Sequence, residues 1–168
     1  MRWLPLAILV ICHTGYGAEP VDLDFVIASS LPRAVPVALL AERERLAPYL
    51  LSAHLNPYYL QGDFDGDGST DTAILLKERA SGKAGILIVG GVGSITVLGA
   101  GNALGNGGDD FRWMDAWYVY PRGEVQRGAA GGNPPALLGD ALMLHKTEAA
   151  SALVHWNGSE YAWYQQGD

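Results

Sequence analysis

The sequence predicts a mainly β protein: an antiparallel sheet or sandwich of about seven or eight short strands, with one N-terminal helix. Three observations carry this. Short runs of β-branched and aromatic residues recur from 58 to 165, bounded by Gly, Asn, Asp or Ser. The chain holds 22 glycines, clustered between 82 and 139, as tight turns between strands require. Only one stretch, PVALLAERERL, is written in helix formers.

At 168 residues, 49% hydrophobic and 17% charged, the chain has the length of one domain and the composition of a packed core. A domain of this size buries roughly 70% of its unfolded surface and needs no covalent staples. Residues 1–17 read as an export signal. Arg2 supplies the positive start, residues 3–11 are apolar, and Gly15-Tyr16-Gly17 places small residues where a signal peptidase cuts. The apolar run is far short of the ~20 residues a membrane span needs. Cys12 is the sole cysteine, and a lipoprotein signal would want a small residue before it; the bulky Ile11 argues against lipidation. Cleavage after Gly17 leaves a domain of residues 18–168 with no thiol chemistry, in the periplasm or secreted. The mature chain then carries 10 Lys and Arg against 18 acids, a formal charge of −8. That balance opposes nucleic acid and anionic membrane surfaces as partners and suits a metal ion or a basic protein.

Residues 18–35 read as an extended lead-in with a short strand at 24–29. Pro36 suits the first turn of a helix, Leu39, Leu46 and Leu50 recur at helical spacing, and Pro48 limits the segment, so one helix is expected over 36–47. Strands are expected at 58–61, 72–77, 84–89, 94–98, 113–120, 141–146, 150–156 and 161–165. Asn157-Gly158 is a strong hairpin signal, because a type I′ turn needs positive φ at both central residues.

The distinctive stretch is GDFDGDGSTDTAILL, residues 62–76. Like charges crowd together where a hard cation neutralises them, and calcium takes six to eight oxygens. Counting Asp63 as position 1, Asp65 and Asp67 fall at 3 and 5, Gly68 at 6, Ser69 (through its carbonyl) at 7 and Asp71 at 9, as in the front of an EF-hand loop. Position 12 is Ile74 rather than a glutamate, and a strand follows rather than a helix, so a self-contained inter-strand loop fits better. These residues resemble the calcium loops of FG-GAP and VCBS-type repeats, which often occur in exported bacterial proteins. The resemblance covers about residues 60–77 in a single copy. It implies a structural Ca2+ held by Asp63, Asp65, Asp67, Ser69 and Asp71, with Phe64 as a packing residue.

Two other stretches hold residue types that chemistry or binding could use. GAGNALGNGG, at 99–108, lacks the spacing and following helix of a dinucleotide loop and reads as a mobile loop. Just after it, Asp109, Asp110 and Asp115 could serve as an acid–base pair of a glycan hydrolase, or extend the metal site. His54, His145 and His155 have no metal-ligand spacing, though the last two could face each other across a hairpin. Asn106, Asp109, Asp110, Phe111, Arg112 and Trp113 combine a protruding loop with residue types enriched in binding hot spots. The overall layout is similar to that of small periplasmic proteins that inhibit, or give immunity to, toxic or lytic envelope enzymes. It implies a non-enzymatic protein-binding module; the alternatives are a carboxylate-dependent glycan hydrolase and a glycan-binding or adhesion module.

Overall fold

The structure, a computed structural model, describes residues 27, 29–91, 93–129 and 131–167. The signal segment 1–17, with Cys12, lies outside the described residues, as does most of the 18–35 lead-in. Where a strand was expected at 24–29, the described residues Ile27 and Ser29 are helical.

Among the described residues, nine strands form two antiparallel sheets. The first sheet holds β1 (Tyr49–Leu51), β2 (Tyr59–Gly62), β3 (Asp71–Glu78), β4 (Ala84–Val89) and β5 (Ile95–Gly99). β3 pairs with β4 on one side, and β1 and β2 share its other side end to end, Leu51 opposite Leu76 and Tyr59 opposite Ile74. The second sheet is a meander of β6 (Ala116–Tyr120), β7 (Ala141–Lys146), β8 (Ala150–Trp156) and β9 (Tyr161–Gly167).

Each sheet buries apolar residues on both of its faces. Between the sheets, Ala73 and Leu75 of β3 and Ile86 and Ile88 of β4 meet Trp117, Leu142, Leu144 and Val154, with Phe64 and Phe111 in the same core. The outer face of the first sheet, with Ile74, Leu76, Leu87 and Val89, packs on Val35 and Ala38 of α1 (Ala34–Ala41). The outer face of the second sheet, with Met143 and Leu153, is covered by Val125 and Leu137 from the 121–140 connection. β3 and β4 are therefore buried on both sides and are written as nearly unbroken apolar runs rather than alternating ones.

One helix was expected at 36–47. The structure gives α1 and a single turn, α2 (Arg43–Leu46), parted at Glu42, whose φ of −101° and ψ of 21° leave the helical range. Pro36 lies in the first turn of α1, where the missing N–H is no loss. The Asn157-Gly158 hairpin forms, but only Gly158 has positive φ (102°). Asn157 instead uses its Oδ1 to accept from the backbone N–H groups of Ser159 and Glu160 and from the Ser159 hydroxyl, so its side chain rather than its backbone turns the chain.

Candidate functional site

β2 delivers the chain into the aspartate loop and β3 receives it, so Gly62 and Asp71 face each other across the last rung of the ladder. Phe64 drops between the sheets and is 1% exposed, which fixes the loop's base. Asp71 lies fully buried beside it. Its Oδ2 accepts from the N–H of Phe64 (2.7 Å) and Asp65 (3.3 Å), and its Oδ1 accepts from the N–H of Gly91 (2.9 Å) in the β4–β5 turn. Burial pushes this carboxyl above the usual carboxylate range, against the opposing pull of the Gly91 and Phe64 donors. Two of the other aspartates make Asx turns within the loop, Asp65 Oδ1 accepting from Asp67 N and Asp67 Oδ1 from Ser69 N, while Asp63 Oδ2 reaches across the loop to accept from Gly68 N.

The loop is also held from the second sheet. The Asp140 N–H donates to the Asp63 carbonyl at 2.6 Å, and Asp140 Oδ2 accepts from the Asp63 N–H at 3.1 Å. The other Asp140 oxygen accepts from the N–H of Arg122 at 2.9 Å, tying down the start of the 121–140 connection. Tyr161, on β9, belongs to the same neighbourhood. Burial raises its hydroxyl pKa most, followed by the charges of Asp71, Asp65, Asp63 and Asp67, so the group stays protonated. Sequence reasoning missed Asp140 and Tyr161. Neither carries a local signal; each is recruited by a pairing formed across the fold.

The fit of this loop to a cation rests on two observations. Asp63, Asp65 and Asp71 each bring a ligand oxygen within 4.8 Å of the others, close to the widest separation that calcium–oxygen bonds of roughly 2.4 Å allow across one ion. Asp63 Oδ1 is buried yet accepts no hydrogen bond from the described residues. A buried acceptor left without a donor costs about 1–3 kcal/mol, and a bound cation removes that cost. Asp67, which is exposed, and Ser69, which is half-buried, are not part of the three-carboxylate cluster.

The second region begins with the glycine-rich segment. Its Gly105 and Gly107 are laid over the Trp163 indole. An added Cβ at Gly107 would lie 2.7 Å from Trp163 Cη2 and closer still to Cζ3, so a residue without a side chain is needed for this approach. The Gly107 carbonyl accepts from Trp113 Nε1 at 3.1 Å, and the Leu104 N–H donates to the Gly108 carbonyl. Phe111, Trp113 and Trp163 form a three-ring cluster with centroids 6.0–6.5 Å apart. Phe111 is fully buried and supports the loop from beneath rather than offering a surface. Asn106 and Arg112 are exposed, while Asp109, Asp110 and Trp113 are half-buried.

The carboxylates here are engaged within the chain. Asp109 pairs with Lys83. Asp110 caps a 3-10 turn through Arg112 N, accepts from Ala84 N, and pairs with Arg112 at 2.6 Å; the Arg112 hydrogen bond above all holds its carboxyl down to about 2. Asp115 accepts from the backbone and side chain of Thr147, and those bonds lower its pKa. A glycosidase acid requires the opposite shift. His145 and His155 do not face each other: His145 pairs with Ser151 and stacks on Tyr118 with ring centroids 5.5 Å apart, and His155 pairs with Ala162.

No helix among the described residues is long and apolar enough to cross a membrane. Comparison with protein-family models, curated proteins and solved structures found no significant match to this chain.

Proposed function

We propose that this chain is an exported β-sandwich, clasped by a calcium ion, that acts by binding another protein, as an inhibitor of or immunity protein against an envelope-degrading enzyme. Asp63, Asp65 and Asp71 form the core of the ion site, completed by Asp67 and the Ser69 carbonyl. The ion supplies charge neutralisation and closes the loop; it takes no part in turnover. The binding surface is the 105–113 loop, with Asn106 and Arg112 at its crest and Asp109, Asp110, Phe111 and Trp113 as its frame.

The observation that carries the protein-binding reading is this frame. A glycine-rich loop rests on three buried or half-buried rings, its acids are paired internally, and the Arg112 side chain remains 65% exposed. A preorganised loop loses little entropy on docking, and an exposed arginine is a frequent hot-spot residue. The downward shifts of Asp110 and Asp115 disfavour the hydrolase alternative.

The test uses residues 18–168 and a lysozyme-type muramidase acting on peptidoglycan in calcium. Stoichiometric inhibition is expected, weakened at least about tenfold by Arg112→Ala. Inhibition that survives replacement of residues 105–112 by a glycine-serine linker would sink the loop assignment. Turnover of peptidoglycan by the protein alone, abolished by Asp110→Asn, would replace the inhibitor reading with the hydrolase.

A further inference from the structure

The break at Glu42 has left a cleft on the far side of the first sheet from the ring cluster. α1 runs over the sheet, α2 turns away, and Pro48 leads into β1; a cleft of about 260 Å³ lies between them. Its floor is Leu76 and Leu87, both buried. Its walls include Leu39 and Leu46, which pack on the core yet stay half-buried. Arg43 and Arg79 stand at the same cleft, and both are exposed. Arg79 donates from Nε to the Ala47 carbonyl at 3.0 Å. Among the described residues neither arginine forms an ion pair, whereas Arg45, its neighbour in sequence, pairs with Glu42 and donates to the Ile95 carbonyl.

We infer that this cleft binds a small amphipathic monoanion: a free alkyl carboxylate whose chain lies on Leu39, Leu46, Leu76 and Leu87 and whose carboxylate meets Arg43 and Arg79. The argument is one of complementarity. An apolar cavity with a few convergent polar groups is the usual form of a small-molecule site. Two unpaired guanidiniums beside it, in a chain of formal charge −7, select a negative head group. Arginine offers paired donors that match a carboxylate, and fixing Arg79 at Nε leaves its terminal NH2 groups for the ligand. At interior packing density the volume accommodates roughly eight to ten carbon atoms, so a medium chain fits and a long one projects into solvent. The site is independent of the aspartate loop and of the 105–113 loop, and its failure would leave both untouched.

The probe is sodium octanoate, titrated calorimetrically into residues 18–168, with backbone amide shifts followed in parallel by NMR. A dissociation constant of about 0.1–1 mM is expected, since chain burial is offset by the lost freedom of a small ligand. The largest shifts should fall on residues 39–51, 76 and 87. Butyrate and 1-octanol should each bind at least about tenfold more weakly, and so should octanoate to Arg43→Gln, whose exposed position spares the fold. Equal affinity for octanol, unchanged affinity in Arg43→Gln, or shifts that map elsewhere would each overturn the proposal. So would retention on phosphatidylglycerol vesicles without octanoate binding, which would make the patch a membrane contact.

Discussion

Replacing Gly139 by alanine tests the clasp between the sheets. An added Cβ there would lie 2.6 Å from Gly66 N and 2.9 Å from Gly66 Cα, and closer still to the Asp63 carbonyl oxygen. All three are backbone atoms, so no side chain can swing aside. The 138–140 segment and the aspartate loop must separate by several tenths of an ångström. That strains the Asp140 N–H to Asp63 carbonyl bond (2.6 Å) and the Asp63 N–H to Asp140 Oδ2 bond (3.1 Å). Overpacking of this kind costs about 1–3 kcal/mol, and a charge-assisted bond to a carboxylate contributes about 1.5–3 kcal/mol. Because the two losses overlap, the expected total is about 3 kcal/mol. For a domain of this size each kcal/mol lowers Tm by about 2–4 °C, so the variant should melt roughly 6–12 °C lower. Gly123→Ala is the control in the same connection, because its nearest neighbour would be 3.7 Å away and its φ is ordinary; it should be neutral or slightly stabilising. Thermal unfolding followed by circular dichroism decides the matter. Equal Tm values for the two variants would refute the clasp.

Three further outcomes are expected. Raising calcium to about 10 mM should lift Tm by roughly 3–10 °C if the site has the ~10⁻⁴ to 10⁻³ M affinity typical of extracellular calcium modules, and Asp63→Asn should abolish the rise; an identical rise in that variant would remove the ion from the loop. Burial lowers the His155 pKa, so the unfolded chain takes up the proton first as the medium is acidified. The stability from neutral His155 is then present above pH ~6.5 and is lost as pH falls from there toward the depressed folded value. His155→Gln should flatten that part of a urea-midpoint profile, and parallel profiles would contradict the assignment. Phe111→Ala should cost about 3–5 kcal/mol in denaturant unfolding, as expected for a fully buried aromatic; a cost under about 1 kcal/mol would mean that the ring does not hold the loop.

Legibility in the sequence followed the range over which each element is specified. β4, β7 and β8 have the boundaries read from their short apolar runs, because their turns are written in neighbouring residues. β1 was missed: YLL is too short for a period to show, and it becomes a strand only because β3 has a free edge to accept it. The break at Glu42 was equally invisible, since RERL continues in good helix formers and the α2 turn is set by anchors such as Arg45 on the Ile95 carbonyl. In the site, the crowding of Asp63, Asp65 and Asp71 was legible because it is local. The partners that hold it were not, since Gly91 lies 20 residues from Asp71 and Asp140 lies 77 from Asp63. What Gly105 and Gly107 pack on was not legible for a related reason. Glycine marks both loose chain and chain pressed against something large, and only the distant Trp163 distinguishes the two.

The Asp63–Asp140 clasp also bears on the lifetime of the folded state. β3 with β4, β4 with β5, β7 with β8 and β8 with β9 are sequence neighbours whose pairing closes short loops. The clasp closes a 77-residue span, so its entropy is lost only after both sheets exist to reward it. An interaction that forms after the folding barrier leaves the folding rate nearly unchanged and slows escape from the native state. The clasp would therefore act as a timer, lengthening the survival of the folded chain without hastening its formation. The loss in Gly139→Ala should show first as faster unfolding, with refolding scarcely altered.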